Sequence, residues 1–123
     1  MGRPVVHFEV LGRDSEMLQG FYSDLFEWEI DASNPMNYGL VPREGNTTAD
    51  GIGIGGGIGT GMEGYAGHVS FYVGVPDLEA ALAKAETLGG RRLMGPMQVT
   101  DDVEIAMFAD PEGHVIGLSR FDA

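Results

Sequence analysis

VVHFEVLGRDSEMLQGFYSDLFEW (residues 5–28) and AGHVSFYVGVPDLEAALAKAETLGG (residues 66–90) follow one pattern, and that repetition decides the fold. Each begins as an alternating run beside a histidine, passes an aspartate, and continues as an amphipathic segment that ends at a turn. His7 and His68 are 61 positions apart; Asp14 and Asp77 are 63 apart, as are Leu25 and Leu88. In the first segment Leu18, Phe21, Tyr22 and Leu25 fall on one helical face, with Asp14 or Ser15 as the N-cap. In the second, Leu78, Ala81, Leu82, Ala85 and Leu88 do the same, with Asp77 as the cap and Gly89-Gly90 as the stop.

Working outward, short strands are predicted after each helix. They fall at 28–32, 37–42 and 51–58 in the first half and at 91–95, 102–109 and 114–120 in the second. Turn residues separate them: Asn34-Pro35, Glu44-Gly45-Asn46, Gly95-Pro96 and Asp110-Pro111-Glu112-Gly113. Gly59–Gly64 reads as the linker. The expectation is an α+β protein of two βαβββ modules, 1–60 and 61–123, forming one structural unit.

At 123 residues and 43% hydrophobic content, the chain can bury a core, and a protein this small gains by pairing. It has no cysteine, which excludes disulfides, thiolate metal sites and cysteine nucleophiles. The N-terminal stretch has no apolar signal core and no run approaches membrane-spanning length, so the expected location is the cytoplasm. Nineteen acidic residues against seven basic ones give a net charge of −12. Such a surface repels phosphate backbones, which argues against a nucleic-acid partner; it would favour a cationic ligand or serve solubility alone.

Strand alternation sorts the side chains. Val6, Phe8 and Val10 should pack on the helices, leaving His7 and Glu9 on the opposite face with Val5. In the repeat, Val69, Phe71 and Val73 should pack inward, leaving His68, Ser70 and Tyr72 opposite. Two matched polar strand faces point to a cavity; Trp28, Tyr38, Tyr72, Met62 and Phe108 would furnish an aromatic and thioether lining for a planar or irregular ligand, or else pack in the core or a dimer interface. Seven of the eleven residues from Gly51 to Gly61 are glycine. No helix pattern follows and no Lys-Ser/Thr closes a P-loop, so a phosphate cradle is not expected. Ile52, Ile54 and Ile58 suggest a strand with one apolar and one bare face, open to a flat ligand, to a neighbouring chain or simply to packing. There is no nucleophile elbow.

His7 within VVHFEV, FYSDLFEW at 21–28, GHVSFYVGVPDLEAALAKAETLGG at 67–90 and FADPEGHVIGL at 108–118 together resemble the vicinal oxygen chelate superfamily. This superfamily contains glyoxalase I, bleomycin-resistance proteins and extradiol dioxygenases. The resemblance implies eight strands in a curled mixed sheet around a pocket, in a homodimer. In metal-dependent members each module supplies a first-strand ligand and a last-strand carboxylate. His7 and His68 match the first-strand positions. Gly117 stands where the pattern has glutamate, and the corresponding place in the first module falls within Gly51–Ile58, which has no ligating side chain.

The resemblance with its missing carboxylates implies a small-molecule-binding protein that sequesters an antibiotic or related natural product, cationic or planar, without chemistry or cofactor. Its binding residues are expected to be His7, Glu9, Trp28, Tyr38, Met62, His68, Ser70, Tyr72 and Phe108. The alternative is a divalent-metal-dependent lyase, isomerase or dioxygenase, with His7 and His68 holding the ion and Glu9 moving a proton.

Overall fold

The structure, a computed structural model, describes residues 2–120. Seven strands and two helices follow in the order β1 (Val5–Gly12), α1 (Ser15–Phe26), β2 (Gly39–Val41), β3 (Gly56–Thr60), β4 (His68–Val75), α2 (Leu78–Thr87), β5 (Arg91–Thr100), β6 (Val103–Ala109) and β7 (Val115–Arg120). This is an α+β protein. The chain divides into two compact units, residues 7–69 and residues 2–6 with 70–120.

In the unit formed by 7–69, β3 pairs parallel with β1, with Glu9 opposite Gly57, and antiparallel with β2. Asp14 is the N-cap of α1: its carboxylate accepts from the Met17 amide at 3.1 Å, a contact that satisfies one of the helix's orphan donors. The other cap is Glu27, whose left-handed φ of 60° ends the helix. Phe8, Tyr22, Phe26 and Trp28 then form an aromatic cluster, with Trp28 centred 5.4 Å from Phe8 and 5.0 Å from Phe26. Ile58 is fully buried. The predicted helix face is only partly covered, because Phe21 and Leu25 are each 57% exposed.

The other unit repeats the plan. Its first strand, β4, pairs parallel with its last, β7, setting Tyr72 opposite Gly117; β6 pairs antiparallel with β7 and β5. Asp77 caps α2 through the Ala80 amide, and Leu78 and Leu82 bury into a cluster with Val75, Ala106 and Leu118. Within that unit the amide of Gly74 donates to Pro4 O at 2.8 Å.

Several expectations need correction. Among the described residues there are seven strands, not eight, and 28–32 forms no strand; it contributes only the isolated bridge Asp31–Leu40. Ser23 Oγ donates to the Trp28 carbonyl, and just beyond the segment the Asp31 carboxylate accepts from the Ser33 amide. β3 begins at Gly56, so Ile52 and Ile54 lie outside it and are exposed, and it continues through Thr60 into the expected linker. β5 runs to Thr100 rather than stopping at 95. Val69 is 81% exposed and Phe71 39%, so neither packs inward. The cluster under α2 lies at the far end of β4 and reaches only as far as Val73. No helix among the described residues is long and apolar enough to cross a membrane.

Candidate functional site

The unit of residues 7–69 gathers its chemistry around Glu9, the most buried residue of β1 at 4% exposure. The side chain of Glu9 accepts the Tyr38 hydroxyl at Oε1 (2.9 Å) and pairs with His68 Nε2 at Oε2 (2.8 Å). His7 Nε2 lies 2.9 Å from the same Tyr38 oxygen. Two positions along a strand separate His7 from Glu9 by roughly 6–7 Å of rise, and the Tyr38 hydroxyl fills that gap. At the other end His68 Nδ1 meets the Tyr65 hydroxyl at 2.6 Å. Four side chains thus converge on one buried carboxylate, directly or through a partner.

Local sequence sets each of them. His7 and Glu9 share a face of β1 by alternation. Tyr38 leaves a turn clamped by Asn34, whose amide nitrogen donates to Tyr38 O at 2.7 Å and whose oxygen accepts the Tyr38 amide at 3.0 Å. Gln19 of α1 ties the same turn to β3, donating to Asn37 O and Ile58 O. The Tyr38 ring then lies over the bare backbone of β3, where a Cβ at Gly57 would collide with it and one at Gly59 would stand 2.7 Å away. On the opposite face Phe8 occupies the space above Gly56 in the same way. Gly56, Gly57 and Gly59 of the run are therefore a seat for the chain's own aromatic rings.

Burial holds the His7 imidazole below its ordinary value of 6.5, and the nearby Glu9 carboxylate partly opposes the shift. As pH falls below 6.5 the unfolded chain takes up this proton before the folded one does. The stability contributed is therefore complete above that value and is lost as pH falls toward the lower folded-state value. The slope in that window reaches at most about 1.4 kcal/mol per pH unit. Urea midpoints of the wild type should fall more steeply between about pH 7.5 and about pH 5 than those of His7→Gln. Parallel profiles would show that His7 is not desolvated.

Of the expected binding residues, His7, Glu9, Tyr38 and His68 come together; Tyr65 was not anticipated. Trp28 lies in the Phe8 cluster, on the face of β1 away from Glu9. Met62 is 83% exposed and borders a surface groove of about 360 Å³ with Arg13, Thr60, Glu63 and Tyr65. In the other unit, Ser70 Oγ donates to Val115 O at 2.6 Å, the Tyr72 ring lies over Gly117, and Phe108 packs against the α2 cluster. The sequence signal for Tyr65 is its place three residues before His68, between Gly64 and Gly67, whose positive φ values of 85° and 115° turn the chain back.

A divalent ion does not fit these residues as they stand. Both nitrogens of His68 and Nε2 of His7 are engaged by Glu9, Tyr65 and Tyr38. Among the described residues no group of three or more His, Cys, Asp or Glu side chains is placed to hold a metal. At Gly117, where the pattern has glutamate, a Cβ would stand 2.5 Å from the Tyr72 ring.

Two units that each pair their first and last strands in parallel around a helix define the class to which the resemblance pointed. A family model for the glyoxalase-like domain matches residues 8–119, and the chain belongs to that family, within the glyoxalase/bleomycin resistance/dioxygenase superfamily. Among solved structures it is similar to a glyoxalase/bleomycin resistance protein/dioxygenase superfamily member from Vibrio splendidus, with 17% identity, TM-score 0.62, and 98% of this chain and 100% of that one covered. It is similar to a methylmalonyl-CoA epimerase from Streptomyces coelicolor in complex with 2-nitronate-propionyl-CoA, with 17% identity, TM-score 0.60 and 97% of both chains covered. A methylmalonyl-CoA epimerase from Mycobacterium tuberculosis shares 14% identity at TM-score 0.61, over 97% of this chain and 88% of that one. Comparison with curated proteins gives no match.

Proposed function

We propose that this protein binds a small organic molecule and retains it without chemistry, sequestering an antibiotic or related natural product in the cytoplasm as a homodimer. The observation that carries the reading is the commitment of both first-strand histidines to Tyr38, Tyr65 and the Glu9 carboxylate, which leaves a polar anchor in place of a metal centre. Glu9, held by Tyr38 and His68, organises that anchor from behind, and the net charge of −12 raises the local concentration of cationic ligands. Calorimetric titration with bleomycin, mitomycin and enediyne-type compounds tests it. At least one should bind in the micromolar range or tighter, about tenfold more weakly to Glu9→Gln and more weakly at high salt. Binding of none overturns the reading.

A second reading draws on the same carboxylate. Glu9, held between a phenol and an imidazole, is equipped to take up and return a proton, and two of the similar folds are methylmalonyl-CoA epimerases. Solvent deuterium entering the carbon next to an acyl-thioester carbonyl, and lost in Glu9→Gln, would favour this reading over sequestration. The metal-dependent version would need His7 and His68 to exchange Tyr38 and Glu9 for the ion; a rise in melting temperature with nickel, zinc, manganese or iron would favour it.

A further inference from the structure

We infer that Tyr65 is a positioning residue of this site: its hydroxyl donates to His68 Nδ1 and holds the ring so that the Nε2–H selected by Glu9 meets the carboxylate. The direction of every hydrogen in the network follows from the carboxylate, which only accepts. Tyr38 must donate its hydroxyl hydrogen to Oε1, 2.9 Å away, and His68 must donate Nε2–H to Oε2, 2.8 Å away. With its own hydrogen committed to Glu9, the Tyr38 oxygen accepts from His7 Nε2. A neutral imidazole that carries its hydrogen on Nε2 leaves Nδ1 as an acceptor, and the Tyr65 hydroxyl supplies the donor at 2.6 Å. Hydrogens therefore run inward from both ends, from Tyr65 through His68 and from His7 through Tyr38.

Tyr65 does this without touching Glu9. Its ring stands edge-on to the imidazole, with centroids 5.6 Å apart and planes at 71°, so hydroxyl and ring both hold His68 in one orientation. The buried end of the network is closed off: the His68 side chain is 10% exposed and that of Glu9 5%. Tyr65 itself is 37% exposed and borders the groove with Arg13, Thr60 and Met62. A surface tyrosine is thus wired by two short hydrogen bonds to a buried carboxylate, and a molecule in the groove that took its hydroxyl would be felt at Glu9.

The inference rests on the site and not on the identity of any ligand, so it is tested with none present. Long-range proton–nitrogen spectra of the full-length, nitrogen-15-labelled protein at neutral pH report each ring nitrogen of His68. The expected wild-type pattern is a protonated Nε2 with an unprotonated Nδ1 displaced upfield by the hydrogen bond it accepts. Tyr65→Phe keeps the ring and removes the hydroxyl; the Nδ1 upfield displacement should be lost while the His7 signals stay in place. A wild-type His68 protonated on Nδ1 alone overturns the inference, and so does an Nδ1 signal unmoved in Tyr65→Phe. Should Tyr65→Phe fail to fold, the wild-type Nδ1 still decides: an Nδ1 signal at the position of a free acceptor overturns the inference. Failure of every antibiotic to bind would sink the sequestration reading and leave these signals untouched.

Discussion

Gly67→Ala is expected to remove about 3–5 kcal/mol of stability, a large share of the 5–15 kcal/mol a domain of this kind holds. Two penalties act together. The φ of 115° lies where L-residues are strained. An added Cβ would also run into the carbonyl oxygen of Leu11, with Leu11 C at 2.9 Å and Gly12 Cα at 3.1 Å. These are backbone atoms of β1, itself paired with β3 from Phe8 to Gly12, so they cannot rotate aside as a side chain would. Gly64→Ala separates the two effects. Its φ is 85°, but an added Cβ meets nothing within 4 Å, so it should cost only the conformational strain of about 1–3 kcal/mol. Urea unfolding of the pair checks this; equal losses would mean that the Leu11 contact relaxes freely.

Glu9→Ala is expected to cost a similar 3–5 kcal/mol, for a different reason. What the variant leaves behind is a Tyr38 hydroxyl and a His68 Nε2–H that have lost their shared acceptor, each a desolvated donor costing about 1–3 kcal/mol. Glu9→Gln should cost less, because one oxygen remains, though its amide then faces a donor. A double-mutant cycle with His68→Leu tests the account: the second substitution removes one stranded donor, so the double variant should be more stable than the sum of the singles implies. Strict additivity would show that the two side chains do not share the interaction.

Local features of the sequence were read well where local physics governs. Asp14 and Asp77 cap helices because a short carboxylate there reaches amides three residues on, and that spacing is visible in one dimension. Alternation placed His7 and Glu9 on one strand face, and His68 does meet Glu9. Alternation reports which way a side chain points and not what covers it, which is why Val69 and Phe71 were wrongly expected to be buried. The pairing of Tyr38 with Gly57 spans nineteen positions and leaves no periodic trace, so the sequence alone does not show that the run seats a ring. Of the strand expected at 28–32 only the Asp31–Leu40 bridge forms, and the Ser23 hydroxyl on the Trp28 carbonyl is a contact that a pattern of apolar residues does not record.

The ring of Tyr72 over Gly117 constrains the order in which this chain can change. A glutamate at position 117 would need the volume that the ring now fills, so acquiring it demands prior shrinkage at position 72. Shrinking residue 72 first opens a void in a buried position, which is costly until position 117 grows to fill it. Neither step is favourable alone. The two positions are therefore coupled: changing either one alone costs stability, and a change at both together avoids that cost.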